Sequence, residues 1–122
     1  MIKYKRVAFS TLVGKTLAKC VREGDDSISF ETVDGVKFLM EHMQDCCENV
    51  SIESVIGELS DLIGSPILMA EEVSQIDEDA DESATWTFYK LATIKGYVDI
   101  RWYGASNGYY SESVDLLQLH ES

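Results

Sequence analysis

The sequence lacks a long apolar run and has few residues that cross-link small proteins. Its 122 residues include no stretch of about eighteen apolar residues, so no membrane-spanning helix is expected. Val7-Ala8-Phe9 is too short for the hydrophobic region of a signal peptide. The three cysteines, two of them adjacent, make no disulfide framework and are typical of a reducing compartment. These absences predict a cytoplasmic protein without a membrane partner.

Positive charge is also scarce. Ten basic residues stand against 22 acidic ones, which gives a net charge of −12. The balance is uneven, because residues 1–24 carry +5 and the remaining residues carry −17. An acidic surface repels nucleic-acid backbones, so direct binding of DNA or RNA is not expected. Such a surface suits docking onto a basic protein, although acidity also simply keeps a small protein soluble.

No complete catalytic motif or metal motif is present. His42, Cys46 and Cys47 lie close together in the sequence, next to two carboxylates, and all are potential metal ligands or nucleophile–base partners. The spacing does not match a zinc finger, and adjacent cysteines in an extended chain point to opposite faces. No glycine-rich elbow supplies an oxyanion hole. We therefore expect no enzyme, metal or cofactor, with one cysteine packed in the core and the other at a turn.

Apolar residues alternate with polar ones along much of the chain, which predicts strands. Residues 15–43 are interpreted as a three-stranded antiparallel meander with Asp34-Gly35 in a type I′ hairpin turn. Apolar spacings of three and four predict one short helix over residues 52–63, ended by Gly64 and Pro66. A second meander is predicted from strands over residues 67–73, 86–94, 97–103 and 109–117.

These elements predict an α+β fold, with two antiparallel β-meanders separated by one short helix. We expect a single small domain over residues 1–122 with an ordered core over about residues 12–117. Residues 74–83 are rich in acids and are predicted to form a mobile loop. Residues 118–122 are predicted to be a frayed tail.

Residues 86–110 hold eight of the chain's twelve aromatic residues, together with Arg101. A guanidinium beside aromatic rings can pair with a phosphate or carboxylate and stack on a planar group. The candidate ligand-binding residues are Arg101, Trp102, Tyr103, Asn107 and Tyr109. The alternative is structural: Arg101 neutralises acids on a solvated face, while Trp86, Phe88 and Trp102 form core.

Five segments together resemble a family of small proteins found largely in tailed bacteriophages and prophages. They are Gln44–Glu48, Asp61–Pro66 with Ala70–Glu72, Thr85–Thr93, Ile100–Tyr103 and Ser106–Ser111. The resemblance spans about residues 12–117 and brings no established activity or site residue. It implies a phage-encoded accessory protein that works in the host cytosol.

Two binding functions suit such a protein. The first is capture of a small nucleotide-like signal of host immunity, with Arg101 on phosphate and nearby rings on a base. The second is inhibition of a host defence nuclease of the anti-CRISPR type, with acidic residues that imitate nucleic acid on a basic protein surface. Self-association is also expected, because a small sheet domain exposes open strand edges.

Overall fold

A computed structural model describes residues 2–121 and shows a protein built almost entirely of β-strands. Its nine strands are β1 (Ile2–Val7), β2 (Leu17–Glu23), β3 (Ser27–Thr32), β4 (Lys37–Glu41), β5 (Asn49–Ile56), β6 (Met69–Ile76), β7 (Ser83–Thr93), β8 (Gly96–Ser106) and β9 (Asp115–Glu121). The helical residues in this range form two single 3-10 turns, Phe9–Leu12 and Leu59–Leu62.

The strands form two antiparallel sheets. The five-stranded sheet has the order β1-β9-β4-β3-β2, and the four-stranded sheet has the order β5-β8-β7-β6. The α+β prediction is therefore wrong, because the described chain has no α-helix between the two groups of strands. β9 returns from the end of the second sheet to lie between β1 and β4 of the first.

The segment predicted as a helix over residues 52–63 is instead strand β5 followed by a 3-10 turn. Val50 and Ile52 are buried at alternate positions, as in an ordinary strand. The pairing with β8 then shifts register between Ile52 and Ser54, so the next residue packed on the core is Val55. This β-bulge creates a spacing of three. The 3-10 turn that follows repeats the spacing at Leu59 and Leu62, so the whole segment imitates a helix.

The meander predicted over residues 15–43 is confirmed as β2, β3 and β4, but its hairpin turn differs. The prediction of a type I′ turn requires positive φ at both Asp34 and Gly35. Within residues 2–121 only glycines have positive φ, and Gly35 has φ 90°. The Gly35 N–H donates to the Thr32 carbonyl, so the turn is a three-residue loop closed by a left-handed glycine.

Two loop boundaries and the chain end also differ from the predictions. Residues 74–76 belong to β6 and residue 83 begins β7, which leaves a shorter acidic loop over residues 77–82. The strand predicted over residues 109–117 begins only at Asp115. Gln118–Glu121 are not frayed but pair with β1, and Ser122 lies outside the described residues. β1 and the end of β9 thus extend beyond the core predicted over residues 12–117.

One hydrophobic cluster lies between the two sheets. Phe30, Phe38 and Met40 from the five-stranded sheet meet Leu91 and Trp102 from the four-stranded sheet, and all five side chains are at most 1% exposed. Full burial of each such side chain contributes about 1.5–3 kcal/mol. The described residues include no helix that is long and apolar enough to cross a membrane. The core occupies the inner faces and leaves the outer face of each sheet available for other roles.

Candidate functional site: the outer face of the four-stranded sheet

Four side chains form a cluster on the outer face of the four-stranded sheet. Trp86 in β7 is opposite Tyr103 in β8, and Phe88 in β7 is opposite Arg101. Because side chains alternate along a strand, these four share one face while their neighbours Thr87, Tyr89 and Trp102 are buried on the other. We call Trp86, Phe88, Arg101 and Tyr103 the aromatic face.

The rings of the aromatic face are in direct contact with each other. The Trp86 ring lies 4.5 Å from the Tyr103 ring, edge-on, and 6.0 Å from the Phe88 ring, nearly parallel to it. The Arg101 guanidinium lies 6.0 Å from the centre of the Phe88 ring, within the range of a cation–π contact. Among residues 3–120, whose side chains the structure describes, Arg101 forms no ion pair. Its charge is therefore available to a partner.

Acidic side chains border the aromatic face on one side. The Tyr103 hydroxyl donates a hydrogen bond of 2.7 Å to the Asp77 carboxylate, which anchors the start of the acidic loop beside the rings. This bond raises the pKa of Tyr103, and burial and the Asp77 charge add to the effect. Residues 74–79 line a shallow groove together with Trp86 and Phe88. The result is a flat aromatic surface with an acidic rim.

The structure does not bring the five predicted ligand-binding residues together. Arg101 and Tyr103 lie on the aromatic face, but Trp102 is 0% exposed and donates its indole N–H to the Met40 sulfur at 3.3 Å. Asn107 and Tyr109 lie in the loop after β8, where the Asn107 side chain accepts the Tyr109 N–H at 3.0 Å. Six strand positions of about 3.4 Å place Asn107 roughly 20 Å from Arg101. The surface that unites Arg101 and Tyr103 contains Trp86 and Phe88 instead.

His42 forms a buried pair with Glu48 that has a structural role. Its ring Nδ1 lies 2.6 Å from the Ser113 carbonyl oxygen and its Nε2 lies 3.2 Å from the Glu48 carboxylate. Both partners are acceptors, so both contacts are hydrogen bonds only when the imidazole carries two protons. The side chains of His42 and Glu48 are 4% and 0% exposed. The pair therefore ties the loop after β4 to the loop before β9 and leaves neither ring nitrogen to act as a base.

Glu48 also organises the loop that contains the two adjacent cysteines. Its carboxylate accepts hydrogen bonds from the Cys46 N–H at 2.8 Å, the Asp45 N–H at 3.2 Å and the Gln44 amide at 3.0 Å. Burial raises the pKa of Glu48, but hydrogen bonds from the backbone N–H groups of Cys46, Glu48 and Asp45 and from the His42 ring outweigh it and hold the pKa below its ordinary value. Glu48 is therefore a buried carboxylate that stays ionised.

The cysteines are placed differently from the predictions. Cys46 and Cys47 are both exposed and are joined as a disulfide, so neither packs in the core. The expected alternation of adjacent side chains does not apply, because the two residues form a bend rather than a strand. Cys20 is the buried thiol, and burial raises its pKa to about 12. Among the described residues no group of three His, Cys, Asp or Glu side chains is placed to hold a metal ion.

Comparison with known proteins assigns the chain to a family. Residues 10–116 match a family described as a domain of unknown function, DUF7448. The chain belongs to this family. The match covers the four residues of the aromatic face and ends within β9, so β1 lies outside it. Neither a search of curated proteins nor a search of solved structures found a match.

A polar cleft in this DUF7448 domain was missed by the sequence analysis. It lies on the inner side of β6 and β7, where hydroxyl residues replace the apolar ones usual for a core: Ser74, Ser83, Thr85 and Thr87. Glu112 closes it and accepts the Thr85 hydroxyl at 2.8 Å and the Ser106 hydroxyl. The alternation of Ser83, Thr85 and Thr87 is the sequence signal that could have revealed it. Among the side chains of residues 3–120 no buried polar atom lacks a hydrogen-bond partner, so the buried polar atoms of the cleft bind to each other or to the backbone.

Proposed function

We propose that this protein is a phage-encoded, non-enzymatic binding protein that docks on a basic surface of a host protein through the aromatic face. The resemblance of five sequence segments to proteins of tailed phages supports the origin in a phage and action in the host cytosol. The aromatic face supports the mode of binding. Inhibition of a host defence nuclease is the role that best suits such an origin.

The observation that carries the proposal is the composition of the aromatic face. Trp, Tyr and Arg are the residue types that dominate the binding energy of protein interfaces. Here Trp86, Tyr103 and Arg101 adjoin one another on an open sheet, and Val73 and Tyr97 on the same face are 57% and 73% exposed. A flat surface of this kind fits another protein better than a small molecule, which needs a concave site.

Charge supports a basic partner. Asp77, Glu78 and Asp79 line the groove beside Trp86, and the whole chain has a net charge of −12. Complementary charge at the rim of an interface accelerates association and selects the partner. Such an interface weakens as salt concentration rises, because the exposed charges are screened over about 8–10 Å at physiological ionic strength.

A second candidate is capture of a small nucleotide-like signal. It is favoured by the Arg101 guanidinium above the Phe88 ring, which offers a charge for phosphate beside rings that stack on a base. Of the five residues predicted from the sequence to bind such a ligand, only Arg101 and Tyr103 lie together. Trp102 is buried, and Asn107 and Tyr109 lie at a distance from Arg101. The acidic rim would also repel a phosphate.

Site-specific photocrosslinking in infected host cells tests both candidates. A photoreactive phenylalanine replaces Phe88, and the same residue placed at the exposed Val21 of β2 is the matched control on the other sheet. We expect one basic host protein to crosslink at position 88 and not at position 21. The purified pair should then dissociate as salt rises, and Arg101→Ala and Asp79→Asn should each weaken it.

The other outcomes separate the candidates. Native mass spectrometry of the protein purified from the same cells detects a bound small molecule directly. A retained mass of a few hundred daltons that disappears in Arg101→Ala, without a crosslinked protein, would replace the first candidate with the second. Equal crosslinking at both positions, or no crosslink and no bound mass, would overturn both.

A further inference from the structure

The two sheets leave two strand edges open on the same side of the molecule. β1 is the end strand of the five-stranded sheet and β6 is the end strand of the four-stranded sheet. Residues 3–6 and 71–76 are exposed on both faces of their strands, so each edge projects beyond the core. Unpaired edges of this kind are templates for another strand.

The opposite edges, on β2 and β5, are engaged within the chain only at single points. Leu17 at the start of β2 is bridged to Ile63, and Thr16, just before the strand, is bridged to Pro66. On β5, the Ile52 N–H donates to the Asp25 carbonyl at 2.7 Å, in the turn between β2 and β3. The rest of β2 and β5 has no strand partner on that side in the described chain, so charge and not openness alone has to decide which edges pair.

The end of β1 lies close to β6. Arg6 at the end of β1 forms an ion pair of 3.2 Å with Asp115. The 3-10 turn Phe9–Leu12, which follows β1, packs against β6, and its Phe9 ring lies 4.5 Å from the ring of Tyr89, the residue opposite Glu72 of β6. A two-fold axis parallel to the strands would therefore bring β1 of each copy beside β6 of the other.

The charges of the two edges select this pairing. β1 carries Lys3, Lys5 and Arg6 and no acid, whereas β6 carries Glu71 and Glu72 and no base. Pairing β1 with β1, or β6 with β6, would place like charges opposite each other, which is destabilising. Pairing β1 with β6 of a second copy places opposite charges together.

We propose that the protein forms a two-fold dimer in which β1 of each copy pairs with β6 of the other. Each pairing joins a five-stranded sheet to a four-stranded sheet across the interface. Two such contacts close the assembly, so growth stops at the dimer. The proposal goes beyond the function proposed above, because it uses the edges of the sheets and not the aromatic face.

A charge exchange tests the dimer. One variant combines Lys3→Glu and Lys5→Glu in β1, and the other combines Glu71→Lys and Glu72→Lys in β6; Arg6 is left in place because it pairs with Asp115. The control is Lys19→Glu in β2, an exposed residue outside both open edges. Sedimentation velocity should give twice the chain mass of 13.7 kDa for the wild type and the control. Each edge variant alone should be a monomer with the wild-type circular dichroism spectrum.

The mixture of the two edge variants is the decisive sample. In a mixed dimer both contacts again pair opposite charges, so equal amounts of the two variants should restore a species of twice the chain mass. A wild type that stays monomeric at about 100 µM would overturn the proposal. So would edge variants that remain dimeric alone, or a mixture that stays monomeric.

Discussion

Arg101 and Trp102 are adjacent in β8, and the structure assigns them opposite roles. Trp102 is 0% exposed, and its ring fills the space between the two sheets. Arg101 lies on the outer face and contacts the Phe88 ring. We therefore expect Trp102→Phe to lower the stability of the domain and to leave the aromatic face intact. Arg101→Ala should do the reverse.

The size of the Trp102→Phe effect follows from the burial of the indole. The smaller ring removes roughly 40 Å² of buried apolar surface, which is worth about 1 kcal/mol at ~25 cal/mol per Å². It also leaves a cavity of roughly 40 Å³, which costs about 1 kcal/mol more at ~24 cal/mol per Å³. The expected loss in the free energy of unfolding is therefore about 2 kcal/mol. Arg101→Ala loses only an exposed cation–π contact, worth less than about 1 kcal/mol.

Urea denaturation followed by far-UV circular dichroism measures both variants on one scale. With a slope of about 1–3 kcal/mol per molar urea, Trp102→Phe should lower the midpoint by about 1 M and Arg101→Ala by much less. Crosslinking through position 88 should survive in Trp102→Phe and fail in Arg101→Ala. A Trp102→Phe variant as stable as the wild type, or an Arg101→Ala variant that loses more stability, would refute the assignment of the two faces.

Three further predictions concern the loss of stability at low pH, a glycine turn and the buried thiol. Burial raises the pKa of Glu112, but hydrogen bonds from neighbouring hydroxyls lower it more. The stability that Glu112 contributes is therefore present above its unfolded pKa and is lost as pH falls through its folded pKa. When the urea midpoint is measured against pH, Glu112→Gln should reduce the loss of stability at acid pH. A profile identical to that of the wild type would contradict this. In thermal melts Gly57→Ala should cost more than about 1 kcal/mol, and clearly more than Gly14→Ala. Both glycines have positive φ, but only a methyl group at Gly57 would collide with the Tyr97 carbonyl, so equal losses would refute the explanation. With a pKa of about 12, the Cys20 thiol should react with a disulfide reagent at pH 8 only as fast as the protein opens, and rapid labelling of the native protein would show that it is not buried.

The strands were predictable wherever the alternation was regular. In β8 the period of two correctly separates the buried Ile100 and Trp102 from the outward Arg101 and Tyr103. The helix prediction failed because its apolar spacings combine the end of β5 with the second 3-10 turn, in which Leu59 and Leu62 repeat every three residues, and this spacing alone does not distinguish one short turn from an α-helix. The order of strands in the sheets was not predictable either, since β9 joins the first sheet through contacts distant in sequence.

The candidate site was predictable only in part, for a similar reason. Arg101 and Tyr103 were identified from aromatic density, but the choice of Trp102 ignored the alternation that places it in the core. Trp86 and Phe88 complete the surface through cross-strand pairing, and the register of β7 against β8 is set by the turn between them and by the core. Spacing along the chain does not reveal which residues of neighbouring strands meet.

The acidic rim explains how an exposed aromatic surface can coexist with pairing through the strand edges. If two copies stacked through their aromatic faces, the acids around Asp77 of one copy would meet those of the other. Like charges at the rim of an interface disfavour association, whereas a basic partner converts the same charges into attraction. The strand edges differ from the aromatic face, because β1 is basic and β6 is acidic, so the edges of two copies attract each other. Contacts between copies should therefore use the edges and leave the aromatic face open to a basic partner.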